Sequence, residues 1–271
     1  MRHLCVAALL TLTVSASADD EKKADAPWPV VWSVTEGLQA PESAFYDAES
    51  GHLFLSQIGD GGGAKKDGDG WISKLTLDGK VVEDKWATGL NAPKGLRSHD
   101  GLLWVSDIAR VVGFRIADGK QIIDVPIPDA KFLNDLATGP DGSVYVSDMV
   151  ASRIYRFTDS KLDVFAEGEE IEHPNGLLVD GDQLVVGGWG TGFDPSNFTT
   201  KTLGRLLKID LKTGERTAVT AEPTGHLDGI EADGRGGYIV TDWVHGKVFR
   251  ITKKGKAREL ATFPKGAADH A

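Results

Sequence analysis

One cysteine stands in 271 residues. It is Cys5, inside an apolar run at the N-terminus, so everything downstream is without disulfides, thiolate metal sites or a cysteine nucleophile. No lipobox-like site of small residues and cysteine follows that run. Long apolar segments are missing as well. Leu4 to Val14 is too short to span a bilayer as a helix, and nothing later approaches spanning length. With Arg2 and His3 before it and Ala16-Ser17-Ala18 after it, the run has the three parts of a secretory signal peptide. The expectation is a leader over 1–18 cleaved after Ala18, a solvated linker over 19–27 and a periplasmic or secreted product with no membrane span. Positive charge is scarce too. Lys and Arg number 30 against 40 Asp and Glu, a formal net charge of −10, which argues against nucleic acid or an anionic membrane surface as partner. No segment sustains a 3.6-residue apolar period, which excludes a helical domain. No G-x-S-x-G, S-x-x-K or H-E-x-x-H occurs, so neither a serine hydrolase nor a zincin has a motif to stand on.

What the chain does have is a repeated phrase. "PESAF" at 41, "PKGLR" at 93, "LNDLA" at 133, "PNGLL" at 174, "LDGIE" at 227 and "ADHA" at 268 align. Their second letters are Glu42, Lys94, Asn134, Asn175, Asp228 and Asp269, spaced 52, 40, 41, 53 and 41 residues apart. After each phrase but the last comes a turn and a short apolar run such as "LLWVSD", "SVYVSD" or "GYIVTD", then two more runs. Asp78-Gly79, Asp100-Gly101 and Asp141-Gly142 mark the joins, where tight hairpins favour residues that tolerate positive φ. Four short antiparallel strands every ~40 residues is the spacing of β-propeller blades. The expectation is an all-β, six-bladed propeller over 28–271. "VVWSVTEG" at 30–37 would be the outer strand of a last blade shared between the termini, and that sixth repeat reads as truncated after "ADHA".

In a propeller the first strand of each blade lines the central channel, so the six second letters form a ring at one mouth. A plain core would place Val, Ile or Ala there. Buried carboxylates and amides facing a common axis are costly unless something satisfies them. An all-oxygen donor set suits a hard cation, Ca²⁺ before Mg²⁺ or Mn²⁺, with Zn²⁺ as a substitute. The alternative is that these groups bond to one another and to channel water.

The register "PES", "LNDL", "PNGLLVDG", "LDGIEADG" resembles the family of senescence marker protein, regucalcin and gluconolactonase, and more distantly the paraoxonases, over about residues 38–271. The resemblance implies one divalent cation held by Glu42, Asn175 and Asp228. It also implies a substrate-contacting Asn134 and water activation by Asp228, in an enzyme that opens lactones or hydrolyses related esters. Where the sugar-lactone members carry an arginine two residues before the Asn134 position, this chain has Phe132. Lys94 places a cation in the ring, with a salt bridge to Glu42, Asp228 or Asp269 as its structural reading, and is grouped with Asn134 among substrate-facing residues.

Two glycine-rich segments, 56–70 and 187–204, account for the longer repeats and fall between strands two and three. On the ring's face they would roof it and select substrates. His173 and His226 each sit two residues before a ring residue and are candidates for substrate binding or proton transfer. His52, His99 and His245 fall at turns. Asp107, Asp148 and Asp242 end strand two and are expected to tie turns through backbone amides. The leading expectation is an exported metal-dependent hydrolase of lactones or esters. The alternative is a non-catalytic propeller that binds a ligand or protein on its loop face.

Overall fold

The computed structural model describes residues 29–271; the leader expected over 1–18 and the linker over 19–27 lie outside the described residues. Within them the chain forms antiparallel four-stranded sheets in sequence order. Blade one is β1 (Pro41–Asp47), β2 (His52–Gln57), β3 (Gly70–Leu75) and β4 (Val81–Leu90). Blade two is β5 (Pro93–His99), β6 (Leu102–Asp107), β7 (Arg110–Arg115) and β8 (Gln121–Pro126). Blade three is β9 (Leu133–Thr138), β10 (Val144–Asp148), β11 (Arg153–Thr158) and β12 (Lys161–Glu167). In blade four, β13 (Pro174–Asp180) and β14 (Gln183–Gly188) are followed by a small ribbon, β15 (Gly190–Thr191) with β16 (Thr202–Leu203). It closes with β17 (Leu206–Asp210) and β18 (Arg216–Ala218). Blade five is β19 (Leu227–Ala232), β20 (Tyr238–Asp242), β21 (Lys247–Ile251) and β22 (Ala257–Thr262).

The propeller is therefore confirmed, but with five complete blades among the described residues rather than six. Residues 30–37 form no strand: Val30 and Val31 are exposed, while Trp32, Val34 and Leu38 cover Leu53, Leu55 and Leu75 of blade one. The inner strands β1, β5, β9, β13 and β19 pack on one another in that order. Between β19 and β1 runs the C-terminal segment. Thr241 donates to the Ala268 carbonyl at 3.0 Å, Ser43 donates to the Asp269 carboxylate at 2.6 Å, and Ala271 packs against the blade-one cluster. "ADHA" thus occupies the place of a further inner strand.

Each pair of neighbouring blades shares an apolar layer. Phe54 and Ile72 of blade one meet Leu96, Leu103 and Phe114 of blade two, and Leu136 and Val146 of blade three pack with Val111 and Trp104. Fully burying side chains of this size contributes about 1.5–3 kcal/mol each. Of the three Asp-Gly joins, only Asp100 (φ 48°) and Gly101 (φ 72°) both take the left-handed conformation of a primed two-residue turn; at 78–79 and 141–142 the glycine alone does. Among the described residues no helix is long and apolar enough to cross a membrane.

Candidate functional site

The repeated phrase has a backbone cause. In all five blades the pairing of the inner strand with its neighbour slips at the phrase. The breaks lie between Pro41 and Ala44, Pro93 and Leu96, Leu133 and Leu136, Pro174 and Leu177, and Leu227 and Ile230. The second and third letters of each phrase fall inside this bulge, which removes them from the ladder and re-aims their side chains. A hydroxyl on strand two makes up the lost bond. The amides of Ser43, Asp135 and Gly229 donate to Ser56, Ser147 and Thr241 at 2.9, 3.0 and 2.8 Å. Ser106 and Ser147 in turn donate to the Asn134 and Asn175 carbonyls of the next blade. The hydroxyl in "VSD" and "VTD" is the sequence signal for this ladder, which the sequence reading passed over.

The same ladder corrects one register. Thr241 bonds the Ala268 carbonyl as Ser147 bonds that of Asn175, and the His270 amide donates to its neighbour Asp269 as Leu136 does to Asp135. Asp269 is thus a third-letter residue, one step below the ring, and Ala268 holds the ring position.

Lys94, Asn134, Asn175 and Asp228 are buried, and Glu42 keeps some surface at the channel mouth while enclosed by protein. Burial pushes the Glu42 carboxyl up to about 8, with Lys94 pulling it back and Asp269 adding to the rise. Burial also holds Asp228 well above the carboxylate range, reinforced by the charges of Glu42, Asp269 and Asp135. Asn175 lies close enough to Asp228 to favour its charged form, yet neither Asn175 Oδ1 nor Nδ2 completes a hydrogen bond of normal geometry. Asp228 therefore lies within electrostatic reach of Glu42 and beside Asn175. Lys94 does not form the expected salt bridge. Its ammonium donates to the carbonyls of Gly63 (2.8 Å) and Ala92 (3.1 Å) and lies 4.5 Å from the Phe132 ring centre, and burial pulls it down to about 8.

Below the ring lies a second tier that the sequence reading missed. Arg97, itself buried, bridges Asp269 and Glu231, each at 3.2 Å. Asp135 accepts the Leu177 and Leu136 amides, both at 2.7 Å, and burial holds its carboxyl well above its ordinary value. One guanidinium thus serves several acids along the axis.

Both glycine-rich segments reach the ring's face. Segment 56–70 supplies the Gly63 carbonyl to Lys94. Segment 187–204 lays Phe198 edge-on against Phe132 at 5.5 Å and Phe193 against both Phe198 and His173. His173 bonds the Met149 carbonyl through Nδ1 at 2.8 Å, with Nε2 3.3 Å from Glu169. His226 packs against Trp189 and meets Thr200 at 3.1 Å through Nε2. The strand-two aspartates tie more than one turn: Asp107 also accepts the Asn91 and Ala92 amides, and Asp148 those of Lys131 and Phe132, fixing the chain that leads into the inner strand. His245 is not an isolated turn residue, since its Nδ1 lies 2.7 Å from Asp242.

No family model matches the chain, and no curated protein matches it. Solved structures do. Virginiamycin B lyase from Staphylococcus aureus aligns with a TM-score of 0.57 at 19% identity, covering 84% of this chain and 71% of that one. A catalytically inactive variant of that lyase with quinupristin aligns at 0.57 and 17%, covering 86% and 88%. A nidogen/laminin complex aligns at 0.58 and 14%, covering 79% and 81%. At these identities the likeness extends to the propeller fold.

Proposed function

We propose that the chain is an exported metal-dependent hydrolase of lactones or related esters, working at the mouth of the propeller channel. The observation that carries this reading is the Asn175 amide, buried beside a carboxyl that is costly to ionise, with neither polar atom satisfied. Protons could neutralise Glu42 and Asp228, but an amide does not titrate, and its buried oxygen needs a partner of its own. A cation accepting oxygen from Glu42, Asn175 and Asp228 answers all three needs, and an all-oxygen donor set favours Ca²⁺. Bound there, the ion would supply Lewis-acid polarisation of an ester carbonyl.

The remaining roles fall to the chain's own groups. Asp228, ionised in the loaded site, would accept a proton from the attacking water. Asn134, at the second letter of β9, would donate to a substrate oxygen. Lys94, on the Phe132 face beneath segment 56–70, would meet the negative end of a substrate and later the freed carboxylate. The aromatic roof of Phe132, Phe193 and Phe198 would exclude water and bind an apolar acyl or alkyl portion. His173, against Phe193 of that roof, and His226, against Trp189, would border the bound substrate. That enzymes termed lyases share this fold supports a catalytic propeller, while the nidogen/laminin likeness keeps a binding propeller as the competitor.

The test is hydrolysis of a panel of aliphatic and sugar lactones and aryl esters, with chelator and with Ca²⁺ restored. Turnover lost to chelator and regained with Ca²⁺ is the expected result. Ca²⁺ binding without turnover of any member would favour the binding propeller, and neither binding nor turnover would end the metal reading.

A further inference from the structure

Beside the channel mouth, blade five gathers His226, Asp242 and His245, and one ligand-capable atom of each lies within 4.8 Å of those of the other two. Their placement follows from the fold. Asp242 ends β20, its Oδ1 accepts the His245 amide at 3.1 Å, and this tight turn brings the His245 ring back over the aspartate. His226 sits just before β19, the neighbouring strand, where the Trp243 amide donates to its carbonyl.

Two features separate this group from an ordinary polar cluster. His226 is only 9% exposed, and its Nδ1 is buried without a hydrogen-bond partner. Its ring is held by the Trp189 edge at 5.0 Å and faces the His245 ring at 5.6 Å with a 33° tilt. In the tautomer in which Nε2 donates to Thr200 Oγ1, Nδ1 carries a free lone pair, the arrangement by which an outer partner fixes a ligating imidazole.

We infer that His226, Asp242 and His245 form a second metal site, one for Zn²⁺ rather than Ca²⁺, whose fourth position opens to solvent on the loop face. Two imidazoles and one carboxylate are borderline donors that suit Zn²⁺, whereas a hard cation takes oxygens alone. Three protein ligands with an open position is the pattern of a zinc ion that holds water or a substrate. Asp242 Oδ2 and His245 Nδ1 are 2.7 Å apart. Tetrahedral ligation at about 2.0–2.1 Å would set them roughly 3.3 Å apart, a shift of tenths of an ångström for the half-exposed His245 ring. For His245 Nδ1 to ligate, that nitrogen must be free of its proton, which in the neutral ring sits on the solvent-facing Nε2 instead. Lys265, whose ammonium lies 4.8 Å over the Trp243 ring, is the nearby cation that works against the ion. This site is independent of the Glu42–Asn175–Asp228 reading and stands or falls separately.

The experiment is calorimetric titration of the full chain with Zn²⁺, after chelation and in saturating Ca²⁺ so that the channel ring is filled. Wild type is expected to bind one Zn²⁺, and Co²⁺ in its place to give the intense visible bands of tetrahedral coordination. His245→Ala, with His245→Gln beside it as a polar replacement at the exposed turn, is expected to weaken Zn²⁺ by more than the ~10- to 100-fold typical of losing an outer-shell partner. Both are expected to abolish the Co²⁺ bands, while Asn175→Ala leaves Zn²⁺ binding unchanged. No Zn²⁺ binding in Ca²⁺, undiminished affinity in both His245 variants, or loss of Zn²⁺ with Asn175→Ala would each overturn the site.

Discussion

Asp228 and Asn175 occupy the same letter of the same phrase, and the difference between them decides what each can do. Asp228 can carry charge and accept a proton, at the cost of ionising in a buried place already crowded by Glu42, Asp269 and Asp135. Asn175 can give an oxygen to a cation but no base. Asp228→Asn keeps the volume and one carbonyl oxygen, so the fold is expected to persist while lactone or ester turnover falls by ~10²- to 10⁴-fold, the usual effect of losing a general base. Asn175→Asp is the partner measurement. It adds a negative charge at the neighbouring position, so Ca²⁺ is expected to bind more tightly by calorimetry, with turnover retained. Equal turnover by wild type and Asp228→Asn would remove Asp228 as the base. Lys94→Met is expected to tighten Ca²⁺ as well, because it deletes a buried positive charge that interacts with Glu42. An unchanged Ca²⁺ affinity in that variant would mean that Lys94 is directed wholly to Gly63, Ala92 and Phe132.

At the scale of the strand, the site depends on a bulge used five times, which frees two residues of each inner strand, and on a strand-two hydroxyl that in three of the blades restores a freed backbone bond. Gly176 shows how little room it leaves. A Cβ there would meet the Asp228 carbonyl oxygen at 1.6 Å, so Gly176→Ala is expected to displace β19 at the ring and weaken Ca²⁺ binding at least as much as Asp228→Asn. A variant with wild-type Ca²⁺ affinity would show that β13 and β19 do not set the ring's geometry. Asp148, fully buried, accepts amides from Lys131, Phe132 and Ala151. Asp148→Ala leaves these donors unmet and is expected to cost about 3 kcal/mol or more in urea unfolding. Strand periodicity, Asp-Gly turns and the phrase at blade spacing were legible in the chain because each is a local preference of the backbone. The Arg97–Glu231–Asp269 tier was not legible, since it joins residues from separate blades with no shared motif. "VVWSVTEG" has the composition of a strand, but its apolar side chains serve as a cover over Leu53 and Leu75 instead of pairing. Asp269 sat one letter out of register because only the hydroxyl ladder fixes which residue of "ADHA" takes the ring position.

For the whole molecule, the channel makes stability depend on what fills it. The folded protein holds Glu42 at about 8 against an ordinary 4.5, because burial outweighs the attraction of Lys94. Below about pH 4.5 the carboxyl is protonated in both folded and unfolded chains. Between there and about pH 8 the unfolded chain ionises freely while the folded one resists, so stability falls as pH rises, and it levels off above that window. Asp228 and Asp135, also raised, act in the same direction. Lys94, lowered to about 8, is charged in both states below that pH and adds no slope there. Asp233 runs the opposite way. Burial opposes its ionisation, but the Gly237 amide and Arg250 prevail and depress its pKa, so its contribution is complete above the ordinary aspartate range and is lost only as pH falls below it. Over pH 5 to 8 the melting temperature of the chelated protein is therefore expected to decline steadily. Ca²⁺ reverses this. An ion that needs Glu42 and Asp228 ionised binds more tightly as protons leave, so the loaded protein is expected to hold or gain stability over the same range, and the two curves should diverge toward alkaline pH. Scanning calorimetry at half-unit pH steps, with chelator and with millimolar Ca²⁺, makes the comparison. Parallel curves would mean that the ring keeps its protons and takes no cation. Divergence that survives in Asn175→Ala would place the ion elsewhere than the channel mouth.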